Sequence, residues 1–252
     1  MRILAHRGAS GYAPENTFAA FELAVKLGAD AIETDVRMTR DGVLVLLHDA
    51  SVDRTTNGSG PVHDLSWDQL QELDAGVKFD AKFSGQRVPR AADFLDYFAQ
   101  QIPVCLEVKT AAVVDPLMEL IESRKLHDNG RLEFTSFEWE IAARLHQRHP
   151  QCHVGFLTFS YTHELIDKVR NEGLTRICPP AKDVTRDLVE HCHRLGLTVR
   201  TWGAKTREVL RHIIDCGVDG TTLNHPDWIC RKNGRMMVAP ESVMESPTGG
   251  EL

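Results

Sequence analysis

The 252-residue chain has no apolar run long enough to cross a bilayer, no cysteines at CxxC spacing, no glycine-rich dinucleotide fingerprint and no surplus of positive charge. Each absence excludes something. A membrane helix needs about 20 consecutive apolar residues. Ile3-Leu4-Ala5 near the N-terminus is too short for the apolar region of a secretory signal, so no stable membrane association is expected. The six cysteines (Cys105, Cys152, Cys178, Cys192, Cys216, Cys230) are scattered. Without an export signal they are expected as reduced thiols of a cytoplasmic protein. His191-Cys192-His193 is not a metal cluster, because adjacent residues on a helix point in different directions. A formal net charge of −7 argues against nucleic acid as a partner, since that affinity rests on neutralising phosphates with Lys and Arg.

What remains is a chain apolar enough, at 42% hydrophobic residues, to bury a substantial core. Apolar, β-branched runs begin at residues 103, 131, 153, 175, 197 and 218, the last five separated by 22, 22, 22 and 21 residues. Helical stripes lie between them: Val113, Val114, Leu117, Met118 and Ile121 share one face, as do Val184, Leu188, Cys192 and Leu195. Upstream, strand 2–6 leads to a helix over 17–27, with Phe18, Phe21 and Val25 inward, and then to strand 31–36. Strand, helix, strand at this spacing demands right-handed crossovers and a parallel sheet. Eight such units predict an α/β fold, the TIM (β/α)8 barrel, with strands 2–6, 31–36, 103–109, 131–135, 153–157, 175–178, 197–202 and 218–223. An open doubly wound sheet is the alternative, disfavoured by the missing fingerprint.

Residues 37–102 break the rhythm. Asp41-Gly42 between apolar stretches signals a hairpin, and the turn-rich segment that follows, about 49–90, reads as a small insertion after the second strand, packed over the barrel mouth. It contains one good helix start, Ser66 with Gln69 as a capping box. A single catalytic domain over 1–240 is expected, with 241–252 a disordered tail.

Barrel chemistry sits at the C-terminal ends of the strands. There the sequence places His6 and Arg7, then Glu33 and Asp35 two apart on one side of a strand, then Glu107 and Lys109. Carboxylates are almost never buried alone. Three converging from two strands suit a hard divalent cation, Mg²⁺ or Ca²⁺ rather than Zn²⁺. Plain ion pairs, Glu33 with Arg7 and Glu107 with Lys109, are the alternative. If Asp41-Gly42 is a two-residue turn, Asp35 faces His48 across the hairpin and a second imidazole joins the site. A cation, Arg7, Lys109 and two histidines describe a phosphate-ester hydrolase.

The motifs His6-Arg7-Gly8, Pro14-Glu15-Asn16-Thr17, Glu33-Thr34-Asp35-Val36, Asp41-Gly42, His48-Asp49 and Leu106-Glu107-Val108-Lys109 follow in the order and spacing of the glycerophosphodiester phosphodiesterase family. The likeness continues through Asp53-Arg54-Thr55-Thr56-Asn57-Gly58, Ser136-Phe137, Trp202 and Gly217-Val218-Asp219-Gly220, to about residue 229. The resemblance implies a TIM barrel hydrolysing glycerophosphodiesters, such as glycerophosphocholine or glycerophosphoethanolamine, to sn-glycerol 3-phosphate and an alcohol. It implies Glu33, Asp35 and Glu107 as ligands of Mg²⁺ or Ca²⁺, and His6 and His48 as the acid–base pair. Arg7 and Lys109 would lie on the phosphate, Glu15 in the first loop against the site, and Trp202 in the substrate pocket. Asn16 has two readings, a site residue or the N-cap of the following helix.

The chain departs from the family pattern at Arg90-Ala91-Ala92-Asp93, at Gly203-Ala204-Lys205 after Trp202, and at Leu223-Asn224-His225 before Pro226, all expected around the pocket mouth. A lysophospholipase D, with Phe79, Phe83 and Trp67 offering an apolar path for an acyl chain, is the second enzyme reading. An inactive phosphate-ester-binding barrel is the third. The leaving alcohol, the choice of metal, attack by water or by the glycerol 2-hydroxyl, and the oligomeric state stay open at this level.

Overall fold

The computed structural model describes residues 1–126, 130–232 and 235–239; the tail expected over 241–252 lies outside them. Eight parallel strands close on themselves: β1 (Arg2–His6), β2 (Ala31–Met38), β4 (Val104–Val108), β5 (Leu132–Ser136), β6 (His153–Leu157), β7 (Arg176–Cys178), β8 (Thr198–Thr201) and β9 (Gly220–Leu223). β1 bonds to β2 on one side and β9 on the other, which makes the sheet a barrel and bears out the expected fold. β3 (Leu44–Leu46) runs antiparallel on the outer edge of β2.

Helices α1 (Phe18–Lys26), α4 (Val114–Ser123), α5 (Trp139–Arg148), α6 (His163–Asn171), α7 (Arg186–Arg194) and α8 (Arg207–Cys216) alternate with the strands, while α2 (Trp67–Leu70) and α3 (Ala91–Phe98) belong to the 47–102 segment. Four helices start on a threonine, Thr17, Thr162, Thr185 and Thr206, whose hydroxyl accepts a first-turn amide. Loss of one such cap costs about 1 kcal/mol. α8 ends on Gly217 at φ +82, the left-handed cap that glycine adopts without strain. The capping box on Ser66 and Gln69 forms as the sequence predicts. Of the inward stripe expected on α1, Phe21 is buried but Val25 is 38% exposed, because Ala20 and Ala24 take the barrel-facing side.

Between β3 and α3 the chain packs around its own apolar group, including Val45, Leu47, Val52, Val62, Leu70 and Val88. A last antiparallel pair, β10 (Ile229–Lys232) with β11 (Arg235–Val238), packs against α8.

The lower barrel interior is ionic. Glu133 is buried and bonded to both Arg176 and Arg2. Burial would raise its pKa, but Arg176 and Arg2 outweigh that and pull it down to about 2. A carboxyl depressed in this way stabilises the fold above its unfolded pKa and loses that contribution as pH falls toward the folded value. Glu133→Gln is therefore expected to cost about 3 kcal/mol at pH 7. Urea unfolding of the two proteins should converge between about pH 5 and pH 2. A gap unchanged down to pH 3 would contradict this account.

Candidate active site

The first βα loop is shaped by close approach. Gly8 has φ +82, and a Cβ there would lie 2.6 Å from the Ala20 carbonyl carbon. A Cβ on Gly11 would meet His225 Nε2 at 2.2 Å, so only glycine lets this loop lie on the loop after β9. Arg7 (φ +57) and Asn16 (φ +56) both occupy the left-handed region. Non-glycine residues persist there only when the surroundings hold them. Here the Asn16 amide donates to the Arg7 carbonyl (3.0 Å), and both side chains converge on Asp35.

Strand register sets the carboxylates. His6 pairs with Glu33 across β1–β2, and Asp35 with Glu107 across β2–β4. Glu33, Asp35 and Glu107 are all buried, and one oxygen from each lies within 4.8 Å of the others. Asp35 Oδ2 accepts from Asn16 Nδ2 (3.0 Å) and lies 3.2 Å from Arg7 Nε, while Lys109 Nζ stands 2.8 Å from Oδ1 and contacts Glu107. Burial would raise the Asp35 pKa, but Lys109, Arg7 and His48 hold it below the usual carboxylate range. Glu33 and Glu107 are pushed up, by burial first and the Asp35 charge second.

This cluster fits a hard cation. All three donors are carboxylate oxygens, two of them resist ionisation where they stand, and buried Asp35 Oδ1 accepts no aligned hydrogen bond. The plain ion-pair alternative holds for Glu107 with Lys109. Arg7, however, pairs with Asp35 and Glu15 rather than with the Glu33 carboxylate, to which it gives only its backbone N–H (3.2 Å).

His6 Nδ1 lies 2.6 Å from Asn224 Oδ1. An amide oxygen only accepts, so Nδ1 carries the proton and Nε2 keeps its lone pair, 4.0 Å from Glu33 Oε2. Burial and Arg7 push the His6 pKa down to about 4. His48 Nδ1 donates to Asp49 Oδ1 (2.7 Å), leaving its own Nε2 free. Arg54 holds Asp49 (2.7 Å) and grips both oxygens of Glu15 (2.7 Å each), and Glu15 accepts from Arg7 (2.9 Å). Glu15 thus joins the loop that carries His6 and Arg7 to the one that carries His48, and is absent from the residues lining the cavity.

His48 arrives by another route than the one the dipeptide suggests. Thr39 N donates to Val43 O, and the register runs Val36–Leu46, Arg37–Val45, Met38–Leu44. The loop therefore holds three residues, with Gly42 left-handed at φ +84, and Asp35 faces Leu47 rather than His48. The expected pairing is off by one residue. The chain bends after Leu47, and Arg37 clamps the His48 carbonyl with Nε (2.9 Å) and Nη2 (2.6 Å), which turns the imidazole to the mouth. Asn16 is not the N-cap; Thr17 is.

His6, Arg7, Glu33, His48 and Glu107 line one side of a cavity of about 550 Å³, and Phe137, Phe159 and Trp202 line another. Trp202 Nε1 donates to Cys178 O (3.0 Å), and its ring meets Phe137 and Phe159 edge-on, each at 5.6 Å. None of Phe79, Phe83 and Trp67, the proposed acyl path, lines it. The sequence reading also missed Arg200, buried yet among the residues lining the cavity, with Nη1 donating to Cys105 Sγ (3.2 Å) and Nε unbonded. Its signal is a charge inside the apolar run LTVRTW, as Glu33 is in AIETDV. Asn224 carried no such signal.

The profile described as "Glycerophosphoryl diester phosphodiesterase family" matches residues 6–228. The chain is 35% identical over 243 residues to a glycerophosphodiester phosphodiesterase of Caldanaerobacter subterraneus, covering 92% of this chain and 98% of that one. It is 52% identical over 244 residues to the probable glycerophosphodiester phosphodiesterase 1 of Mycobacterium tuberculosis, covering 89% of each. Among solved structures, a glycerophosphodiester phosphodiesterase from Agrobacterium tumefaciens superposes with a TM-score of 0.78 at 32% identity, over 90% of this chain and 97% of that one. An Oleispira antarctica phosphodiesterase in complex with its product sn-glycerol-3-phosphate shares the fold at a TM-score of 0.83 and 23% identity, over 90% and 94%.

Proposed function

The chain belongs to the glycerophosphoryl diester phosphodiesterase family, and on that premise we propose that this phosphoric diester hydrolase cleaves glycerophosphodiesters to sn-glycerol 3-phosphate and an alcohol, with a divalent cation on Glu33, Asp35 and Glu107. The observation that carries the reading is the three-carboxylate cluster, of which Glu33 and Glu107 line the same cavity as two imidazoles whose Nε2 atoms make no hydrogen bond among the described residues. Binding alone needs no such pair of proton carriers, which argues against the inactive barrel. A bound Mg²⁺ or Ca²⁺ supplies Lewis-acid polarisation of the phosphoryl oxygens.

Arg7 Nε stands in ion-pair contact with Asp35 and Nη1 donates to Glu15, which leaves Nη2 to donate to a phosphate oxygen. Lys109 holds Asp35 and Glu107 together and adds positive charge beneath the phosphate. The two histidines differ in what orients them. Burial pushes the His48 pKa down, but Asp35 and the ring's carboxylate partner Asp49 oppose that, so of the two rings His48 is the better proton donor and protonates the leaving oxygen. His6 rests on a neutral amide and stays unprotonated, so it takes the proton of the attacking hydroxyl, whether of water or of the glycerol 2-position.

A barrel domain over 1–240 with its 49–90 insertion would carry this activity. Six free thiols, five of them buried, support a reducing cytoplasm. Among the described residues no helix is long and apolar enough to cross a membrane.

The direct test is release of sn-glycerol 3-phosphate from glycerophosphocholine and glycerophosphoethanolamine. Release is expected with Mg²⁺ or Ca²⁺, is expected to stop on chelation, and to return on adding either ion. Undiminished release in chelator would refute the metal assignment, and release only from a lysolipid would move the enzyme to the lysophospholipase D class.

A further inference from the structure

The cavity has two unlike arcs. The chemistry stands on β1, β2 and β4, which are contiguous in the barrel order, and the aromatic side chains stand on the loops after β5, β6 and β8. Phe137 stacks on Phe159 (4.7 Å), Trp202 meets both, and Phe159 is 72% exposed, so this arc is apolar yet open to solvent. Lys205, three residues after Trp202, lines the same cavity. Its ammonium has neither ion pair nor hydrogen bond among the described residues, whereas Arg7 and Lys109 are committed to carboxylates. Both lining carboxylates, Glu33 and Glu107, lie on the other arc.

We infer that Lys205 sets the choice of leaving alcohol, favouring an uncharged or anionic polyol over a quaternary ammonium. The inference rests on the proposed diesterase reaction. Glycerol is common to every substrate, whereas the other ester arm varies in size and charge, and an open arc accommodates variation. A bare aromatic wall would favour choline through its ring faces, but at solvent-open sites that attraction is at its weakest. A second cation held several ångströms from an ammonium opposes it by a comparable or larger amount at surface dielectric. Polyol hydroxyls accept from the three N–H groups of Lys205 while their C–H faces lie on Trp202 and Phe159.

The experiment compares kcat/KM for glycerophosphoglycerol and glycerophosphocholine on the wild-type enzyme, Lys205→Ala and Lys205→Glu. Wild type is expected to prefer the polyol diester by about tenfold, an effect of the size one screened charge pair supplies. The alanine variant should lose most of that preference, and the glutamate variant should invert it by raising turnover of the choline diester. A choline preference in wild type, or a ratio unmoved across the three proteins, would overturn the inference and leave the reaction standing. An equal fall on both substrates would also overturn it, by assigning Lys205 to the shared glycerol. No sn-glycerol 3-phosphate from either diester would overturn the reaction itself, and the inference with it.

Discussion

His48→Ala should lower kcat/KM for glycerophosphocholine by roughly 10²- to 10⁴-fold, the usual worth of a positioned proton carrier. The loss should shrink when the leaving group is p-nitrophenol, which departs without protonation. His6→Ala should lose as much with either leaving group, because deprotonating the nucleophile is needed in both. The distinction comes from hydrogen-bond partners, Asp49 for one ring and Asn224 for the other. It also makes a claim about Asn224. Asn224→Leu removes the acceptor that holds the proton on Nδ1, so its loss should follow that of His6→Ala rather than His48→Ala. Equal leaving-group sensitivity in the two histidine variants would reject the assigned roles.

Asp35→Asn is expected to bring the enzyme near background, a fall of about 10²- to 10⁴-fold for the several kcal/mol of charge stabilisation a metal site provides. Asp35 is wholly buried, and the charges of Arg7 and Lys109 are both compensated on it. An amide of the same shape keeps the packing but leaves two cations facing a neutral group. Each keeps one other carboxylate, Glu15 for Arg7 and Glu107 for Lys109. The stability cost should therefore fall below the 3–5 kcal/mol typical of stranding a buried charge. Calorimetric titration with Mg²⁺ and Ca²⁺ separates the two effects: metal binding should be lost in a protein that still unfolds cooperatively in urea. Retained metal affinity with lost activity would remove Asp35 from the ligand set.

These two sites were legible to different degrees. Glu33 and Asp35 stand two apart in a strand, so period-two geometry alone puts both on one side. A charge inside an otherwise buried run needs a partner or a ligand. The constant beat of strand and helix forces parallel strands and right-handed crossovers, and eight of them close a barrel. These are local regularities, and a sequence displays local regularities directly. Even there the margin is narrow. The three-residue loop at Arg40–Gly42 shifts the hairpin by one residue, and His48 reaches the mouth only because the chain bends after Leu47 and Arg37 holds its carbonyl.

What the sequence determined by itself is the barrel, the carboxylate cluster and the two candidate proton carriers, because each rests on spacing within a strand or on motifs in order. The tertiary structure alone decided what orients them. Asn224 lies 218 residues from His6 and meets it because β9 closes against β1, with Gly11 letting the two loops touch. Arg54 joins Asp49 to Glu15 across 39 residues, and Arg200 of β8 lines the same cavity as Glu33 of β2. Barrel closure sets all of these contacts at once, and closure is a property of eight strands packed together that no window of the chain contains.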